Sequence, residues 1–355
     1  MNRPKSPIKP HEVVVFFPTS AHQELDSEDW NVNVHGWIFQ PEENSLKRPL
    51  LLGLLRRVLK LSREQTETGL LKQRLRPFLV DNERGRKISI ELGGGVYQLP
   101  KSKPNGHFQS TFSVPNAAVG PLPEASPWLP FRAITPAGDE RVFSGRMLFV
   151  PQRGVSVISD IDDTIKVTNV GDHRELLANT FLREFRSVPS MAAVYRRWAE
   201  AGACFHYVSS SPWQLFQPLC DLFDRHSFPA GSVHLREFRV RELKTLENLA
   251  GSEEGKSKQI LRILSAYPQR TFVFVGDSGE KDAEMYGDLA RRFPHRVARI
   301  YIRNVTEESP DSDRFTKAFA EVPRKRWMLF DEASELLPPK HKDAMDEFLE
   351  FGNPH

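Results

Sequence analysis

Val155-Ser156-Val157-Ile158-Ser159-Asp160-Ile161-Asp162-Asp163-Thr164 decides the reading of this chain. An apolar, largely β-branched run stops at three carboxylates spread over four residues. The run has the length and composition of a short buried strand. Carboxylates are not left buried and unpaired, so the acids belong just past the strand's carboxyl end. In open parallel α/β sheets that edge is where ligands bind. Acids at i and i+2 on an extended segment project to opposite sides. One can face a metal and a phosphorus atom while the other reaches a leaving group. Three clustered carboxylates raise each other's pKa. The usual relief is a hard cation, and Mg²⁺ takes one or two carboxylates together with water and phosphate. Asp160 is a candidate nucleophile and Asp162 a candidate general acid/base. The alternative for so short a motif is a helix-capping or Ca²⁺-binding acidic turn.

Working outward, strand and helix patterns alternate after Val155. Strands are predicted at Val155–Ser159, Cys204–Val208, Ser232–Leu235, Thr271–Val275, Arg299–Ile302 and Trp327–Phe330. Helices are predicted at Arg174–Phe185, Ser190–Ala201, Gln214–Arg225, Lys256–Tyr267, Asp282–Arg292 and Glu332–Leu337. Such alternation calls for a parallel sheet covered on both faces.

Three of these elements carry polar ends. The strand ending at Val208 runs into Ser209-Ser210-Ser211-Pro212-Trp213-Gln214. Ser211, Pro212 and Gln214 fit a helix-capping pattern, which gives Ser211 a structural task. Ser209 is then left at the strand end, where a hydroxyl beside a helix start can hold a phosphate oxygen. Trp213 reads either as packing or as a substrate contact. Lys256, at the start of a helix, is a candidate cation for a transferring phosphoryl group, with Lys258 as its competitor. The strand Phe272–Val275 runs into Gly276-Asp277-Ser278-Gly279-Glu280-Lys281-Asp282, a second acidic strand end. Its glycines allow the backbone to turn tightly near a ligand. Asp277 reads as a Mg²⁺ ligand, and Asp282 as the residue orienting its shell.

Taken together, Asp160–Lys166, Tyr207–Gln214 and Gly276–Asp282 resemble the haloacid-dehalogenase superfamily of phosphoaspartyl hydrolases. More narrowly, they resemble the catalytic domain of the actin-patch-associated phosphatidate phosphatases, over roughly residues 150–305. The resemblance implies a Rossmann-like α/β sheet without a large cap. It implies Asp160 as nucleophile and Asp162 as acid/base, with phosphate binding by Thr164, Ser209, Ser210 and Lys256. It implies Mg²⁺ held by Asp160, by the carbonyl of Asp162 and by Asp277, with Asp282 and Ser278 in support. Residues 165–209 and 212–255 are short enough to exclude an inserted cap domain. An open site suits a phosphate on something large. The turn Val170–Glu175 is the expected flap, with His173 and Arg174 as either substrate readers or surface residues.

Residues 1–150 read as a mostly β, sandwich-like domain, with strands near 11–17, 30–38, 87–92, 108–114, 128–134 and 141–150. Gly93-Gly94-Gly95 lacks the following helix that a phosphate loop needs. A helical insertion at 46–76 interrupts the strands. Leu51, Leu54, Leu55, Val58 and Leu61 fall at helical spacing, and a second helical piece is expected over Glu64–Arg76. Lys47, Arg48, Arg56, Arg57, Lys60, Arg63, Lys72, Arg74 and Arg76 face only Glu64 and Glu67 as acids. The Leu side is expected against the sandwich. The basic side, with Arg56, Arg57 and Lys60, is either solvated or meets anionic lipid. The catalytic domain is expected over 151–337, followed by a charged tail, 338–355.

Composition supports an ordinary soluble protein: 39% hydrophobic, 27% charged and a net charge of +3 over 355 residues. Cys204 and Cys220, the only cysteines, make neither a disulfide framework nor a zinc cluster. Met1–Lys5 opens without the apolar core of a signal peptide. The expectation is a cytoplasmic enzyme, peripheral to membranes at most, with no nucleic-acid partner and with protein partners reached through the β domain. Its substrate is phosphatidate or another lipid phosphate; a phosphoprotein or soluble phosphomonoester is the alternative.

Overall fold

The computed structural model describes residues 8–23, 27–41, 47–60, 62, 68–119, 127–237 and 253–337. Leu46, Leu61, Arg63, Glu64 and Glu67 of the basic insertion, and the tail 338–355, lie outside the described residues.

The first sheet comprises β1 (Val13–Phe17), β2 (Thr19–Gln23), β3 (Trp30–Gln40), β4 (Asp81–Asn82), β5 (Ser89–Leu92), β6 (Gly95–Gln98), β7 (His107–Val114), β8 (Trp128–Ala133) and β9 (Ser144–Phe149). They join into one hydrogen-bonded sheet, antiparallel except for the parallel pair β2/β9. The even-spaced residues Trp30, Val32, Val34 and Ile38 are buried together with Phe16, Phe108, Phe131 and Phe149 in one core. Between β3 and β4 stand α1 (Lys47–Leu59) and α2 (Gly69–Leu75), and α3 (Asn116–Val119) follows β7.

The second sheet comprises β10 (Gly154–Asp160), β11 (Cys204–Pro212), β12 (Gly231–Arg236), β13 (Arg270–Asp277), β14 (Val297–Arg303) and β15 (Trp327–Phe330). All its pairs are parallel, in the order β12-β11-β10-β13-β14-β15. The helices are α4 (His173–Phe181), α5 (Met191–Glu200), α6 (Phe216–His226), α7 (Glu253–Ala266), α8 (Asp282–Arg292) and α9 (Asp313–Ala318). Val157 and Val273 face Tyr195, Trp198, Leu219 and Leu222 on one side. Ile158 and Phe274 face Ile260, Leu264, Tyr286 and Leu289 on the other. Both faces are covered, which is why the strands read as continuous apolar runs. The order runs outward from β10 in one direction and then jumps back across it to β13. The switch point of this doubly wound sheet therefore lies between the carboxyl ends of β10 and β13, the place where such folds bind ligands.

Two expectations change. The Leu side of α1 does not rest on the first sheet. Leu51, Leu55 and Leu59, with Leu71, Leu75 and Phe78, pack on Leu176, Leu177 and Phe181 of α4 and on Leu215. Arg74 also leaves the basic surface: it is buried, with its guanidinium 3.9 Å above the Phe185 ring. The helical period fixes which face is apolar but not what covers it. The two sheets themselves meet through Phe17, stacked 3.9 Å from Trp213 between ring centroids. Trp213 is thus a packing residue. The Val233 N–H donates to the Pro18 carbonyl at 2.9 Å, extending the edge of β12 toward the first sheet.

Candidate active site

The register of β10 sets the geometry. Asp160 pairs with Val208 on one side, and Ser159 pairs with Val275 on the other. Neighbouring strands lie about 4.8 Å apart. Asp160 therefore sits between the strand ends that lead into Ser209 and Asp277.

The three acids of the opening motif part ways. Asp163 adopts φ 55° and turns its carboxylate onto the following loop. It accepts from the N–H groups of Thr168 (2.7 Å), Asn169 (2.8 Å) and Val170 (2.6 Å). Asp162 is bound on every side. Lys166 Nζ is 2.5 Å away, Thr168 Oγ1 donates at 2.8 Å, Ser209 Oγ at 2.7 Å and Ser211 Oγ at 2.8 Å. Burial alone would raise the Asp162 pKa, but Lys166 and these hydroxyls outweigh it and hold the group well below the usual carboxylate range. Asp160 is completely buried, and neither of its carboxylate oxygens takes part in a hydrogen bond among the described residues. Its charge is met by Lys256 Nζ, 2.7 Å from Oδ1. Burial drives its pKa well above normal despite Lys256, and Asp282, Glu280 and Asp277 push the same way. Hydrogen bonds from the protein thus relieve two of the three acids expected to need a cation; Asp160 has the Lys256 ion pair instead.

Lys256 is the cation of the cluster. It lies 2.5 Å from Asp282 and 3.0 Å from Glu280 as well as meeting Asp160. Burial opposes its charge, but the three acids outweigh that and raise its pKa. Lys258 is exposed and pairs with Glu254 at 2.6 Å. Two steps along a helix turn a side chain by about 200°, so only one of the two lysines reaches the sheet edge. Oxygens of Asp160, Glu280 and Asp282 lie within 4.8 Å of one another, a group able to hold a metal ion.

Asp277 ends β13. Its Oδ1 accepts from the N–H groups of Gly279 (2.6 Å) and Glu280 (3.1 Å), whereas Oδ2 is buried without a partner among the described residues. Gly276 is required by space rather than by φ: a Cβ there would meet Asp282 Oδ2 at 2.3 Å. Ser278 faces away from the cluster and accepts from the N–H groups of Val305 and Thr306, fastening the loop after β14. Thr164 is buried with its hydroxyl unpartnered among the described residues. Ser210 is half-buried and, with Lys256, Glu280 and Asp282, lines an open cavity of about 440 Å³.

Ser211 is the clearest correction. The helical turn begins at Trp213 with no side-chain cap, and the Ser211 hydroxyl is spent on Asp162. The sequence reading also missed Lys166, Thr168 and Glu280. A basic residue four positions after an acid was the available signal for Lys166, although the intervening segment is a tight turn rather than a helix.

Residues 155–304 match a family described as "Phosphatidate phosphatase APP1, catalytic domain". The resemblance read from the motifs is borne out over this segment. The chain is also 30% identical over 257 residues to "Phosphatidate phosphatase APP1" of Saccharomyces cerevisiae, covering 69% of this chain and 42% of that protein. An uncharacterized protein of Schizosaccharomyces pombe is 31% identical over 177 residues, covering 48% of this chain and 29% of the relative. The chain therefore spans less than half the length of these relatives. Asp160, Asp162, Ser209, Lys256, Asp277 and Asp282 all fall within the matched segment.

Proposed function

We propose that the chain is a Mg²⁺-dependent phosphatidate phosphatase, releasing diacylglycerol and phosphate through an aspartyl-phosphate on Asp160. One observation carries this reading. Asp160 is a buried carboxylate with both oxygens free of hydrogen bonds, at the switch point of the sheet, with Lys256 Nζ 2.7 Å away. The second sheet with its helices would form the catalytic domain, beginning near residue 151.

The donor set fits a hard divalent cation. Asp160 Oδ2 and Asp277 Oδ2 are buried without hydrogen-bond partners among the described residues, and the acids around Lys256 exceed its single positive charge. Asp160, Asp277 and the Asp162 carbonyl would hold Mg²⁺, which when bound neutralises charge on the phosphoryl oxygens. An Asp160 oxygen attacks phosphorus and the bond to the lipid oxygen breaks, with Asp162 giving that oxygen a proton. Water, losing a proton to Asp162, then attacks the aspartyl-phosphate and frees Asp160. In this structure the partners of Asp162 favour its ionised form, as the second step requires. Withdrawal of Thr168 and Lys166 would restore the effect of burial and raise its proton affinity, as the first step requires. Thr164, Ser209 and Ser210 would bind phosphoryl oxygens, Lys256 would neutralise them, and Asp282 would hold Lys256.

The membrane side of the reading rests on α1 and α2. Arg56, Arg57, Lys60, Lys72 and Arg76 are exposed, while the buried leucines are spent on α4, whose first turn takes up His173–Glu175 of the expected flap. Among the described residues no helix is long and apolar enough to cross a membrane. A basic surface of this kind attracts anionic lipid at about 1 kcal/mol per charge. Phosphate release is measured from phosphatidate vesicles, phosphopeptides and sugar phosphates in parallel. The reading requires the vesicles to be preferred; preference for a peptide or a sugar phosphate overturns it.

A further inference from the structure

A second set of metal-type ligands lies where the two sheets meet, apart from the acid cluster. His35 on β3 and His107 on β7 are both buried, and His35 Nε2 stands 3.1 Å from His107 Nδ1. Glu237, directly after β12, comes from the other sheet. One atom from each of the three lies within 4.8 Å of the other two. Lys103 Nζ and Asn105 Nδ2, each at 2.8 Å, hold the two oxygens of Glu237.

We propose that His35, His107 and Glu237 form a divalent transition-metal site, best matched by Zn²⁺, that ties the first sheet to the end of β12. Two imidazoles and one carboxylate suit a borderline cation, in contrast to the all-oxygen edge near Asp160. Tetrahedral Zn²⁺ with Zn–N bonds of 2.0–2.1 Å separates two ligand nitrogens by about 3.4 Å. The observed 3.1 Å needs to widen by only a few tenths of an ångström. Lys103 and Asn105 supply the outer contacts that orient a metal-bound carboxylate. His35 and Glu237 also line a cavity of about 610 Å³ between the sheets, which gives the ion an entry path and leaves room for a water as fourth ligand.

The test uses the full chain, stripped with chelator, with Asp160→Asn and Asp277→Asn combined to disable the acid edge. Zn²⁺ is titrated by calorimetry, and Co²⁺ is added as a visible-absorption probe of coordination. The acid-edge variant should bind one equivalent of Zn²⁺ and give a four-coordinate Co²⁺ spectrum. Adding His107→Gln or Glu237→Gln should weaken that binding at least about tenfold. Glu237 is half-buried, so Glu237→Gln remains informative if His107→Gln does not fold, as judged by circular dichroism. Affinity unchanged by Glu237→Gln, or no Zn²⁺ bound by the folded acid-edge variant, overturns the site.

Discussion

Two buried polar clusters among the described residues solve the same problem in opposite ways. At the carboxyl edge of β10 and β13, charge is kept inside the protein: Lys256 and Lys166 each meet buried carboxylates at 2.5–2.7 Å. Around the meeting of the sheets, His35, His107 and His206 are buried and His234 is half-buried, and every one is pushed toward its neutral form. Carboxylates near neutral pH cannot easily shed their charge, so they need cations. Imidazoles can, so they need only hydrogen bonds such as those of His206 to Ser156 and Ser232. The first cluster is built for charged chemistry, and the second is silent until a proton or a metal arrives.

The largest break in this comparison is Asp160→Asn. It should lower phosphate release at least about 10⁴-fold, because it removes the carboxylate on which the covalent intermediate is proposed to form. The fold should survive, since Lys256 keeps Asp282 and Glu280; initial rates and circular dichroism check both. Next is Lys166→Met, which strands a buried carboxylate. The expected cost is about 3–5 kcal/mol in denaturant unfolding. Pairing it with Asp162→Asn should recover much of that loss, and no recovery would contradict the pairing. Third, replacing Arg56, Arg57 and Lys60 by Ser should weaken binding to anionic vesicles by about 3 kcal/mol, roughly 100-fold, with little change in unfolding. Vesicle sedimentation reads that difference. A further break concerns the histidines. Burial brings His107 and His234 down to about 4, against about 6.5 in the unfolded chain. Below pH 6.5 the unfolded chain binds protons that the folded chain refuses. Stability should therefore be full above about 6.5 and decline as pH falls toward 4, measured in chelator. A flat profile across that window would show the rings to be accessible.

The candidate edge was legible because its elements obey local rules. Apolar runs that end abruptly in acids at 160 and 277 marked the carboxyl ends of two strands, although both acids are buried there, and the apolar period of residues 256–267 required a helix. What escaped was partnership. The sequence presents Asp160, Asp162 and Asp163 as equals, yet a positive φ at Asp163 and a turn bringing Lys166 back to Asp162 leave Asp160 alone without hydrogen bonds. Neither is a periodic signal. The cover of α1 was illegible for a related reason: a leucine stripe fits any apolar surface, and α4 is distant in sequence. The histidine cluster left no motif, because its members come from four strands, β3, β7, β11 and β12, with wide stretches of chain between the first three.

The central claim is that Asp160 takes the phosphoryl group. The direct test is to quench the full chain with acid during turnover of phosphatidate vesicles and to map the modified peptide by mass spectrometry. The account predicts one phosphoryl group on Asp160, absent from Asp160→Asn. A phosphoryl group on another residue, or steady turnover by Asp160→Asn, would contradict it.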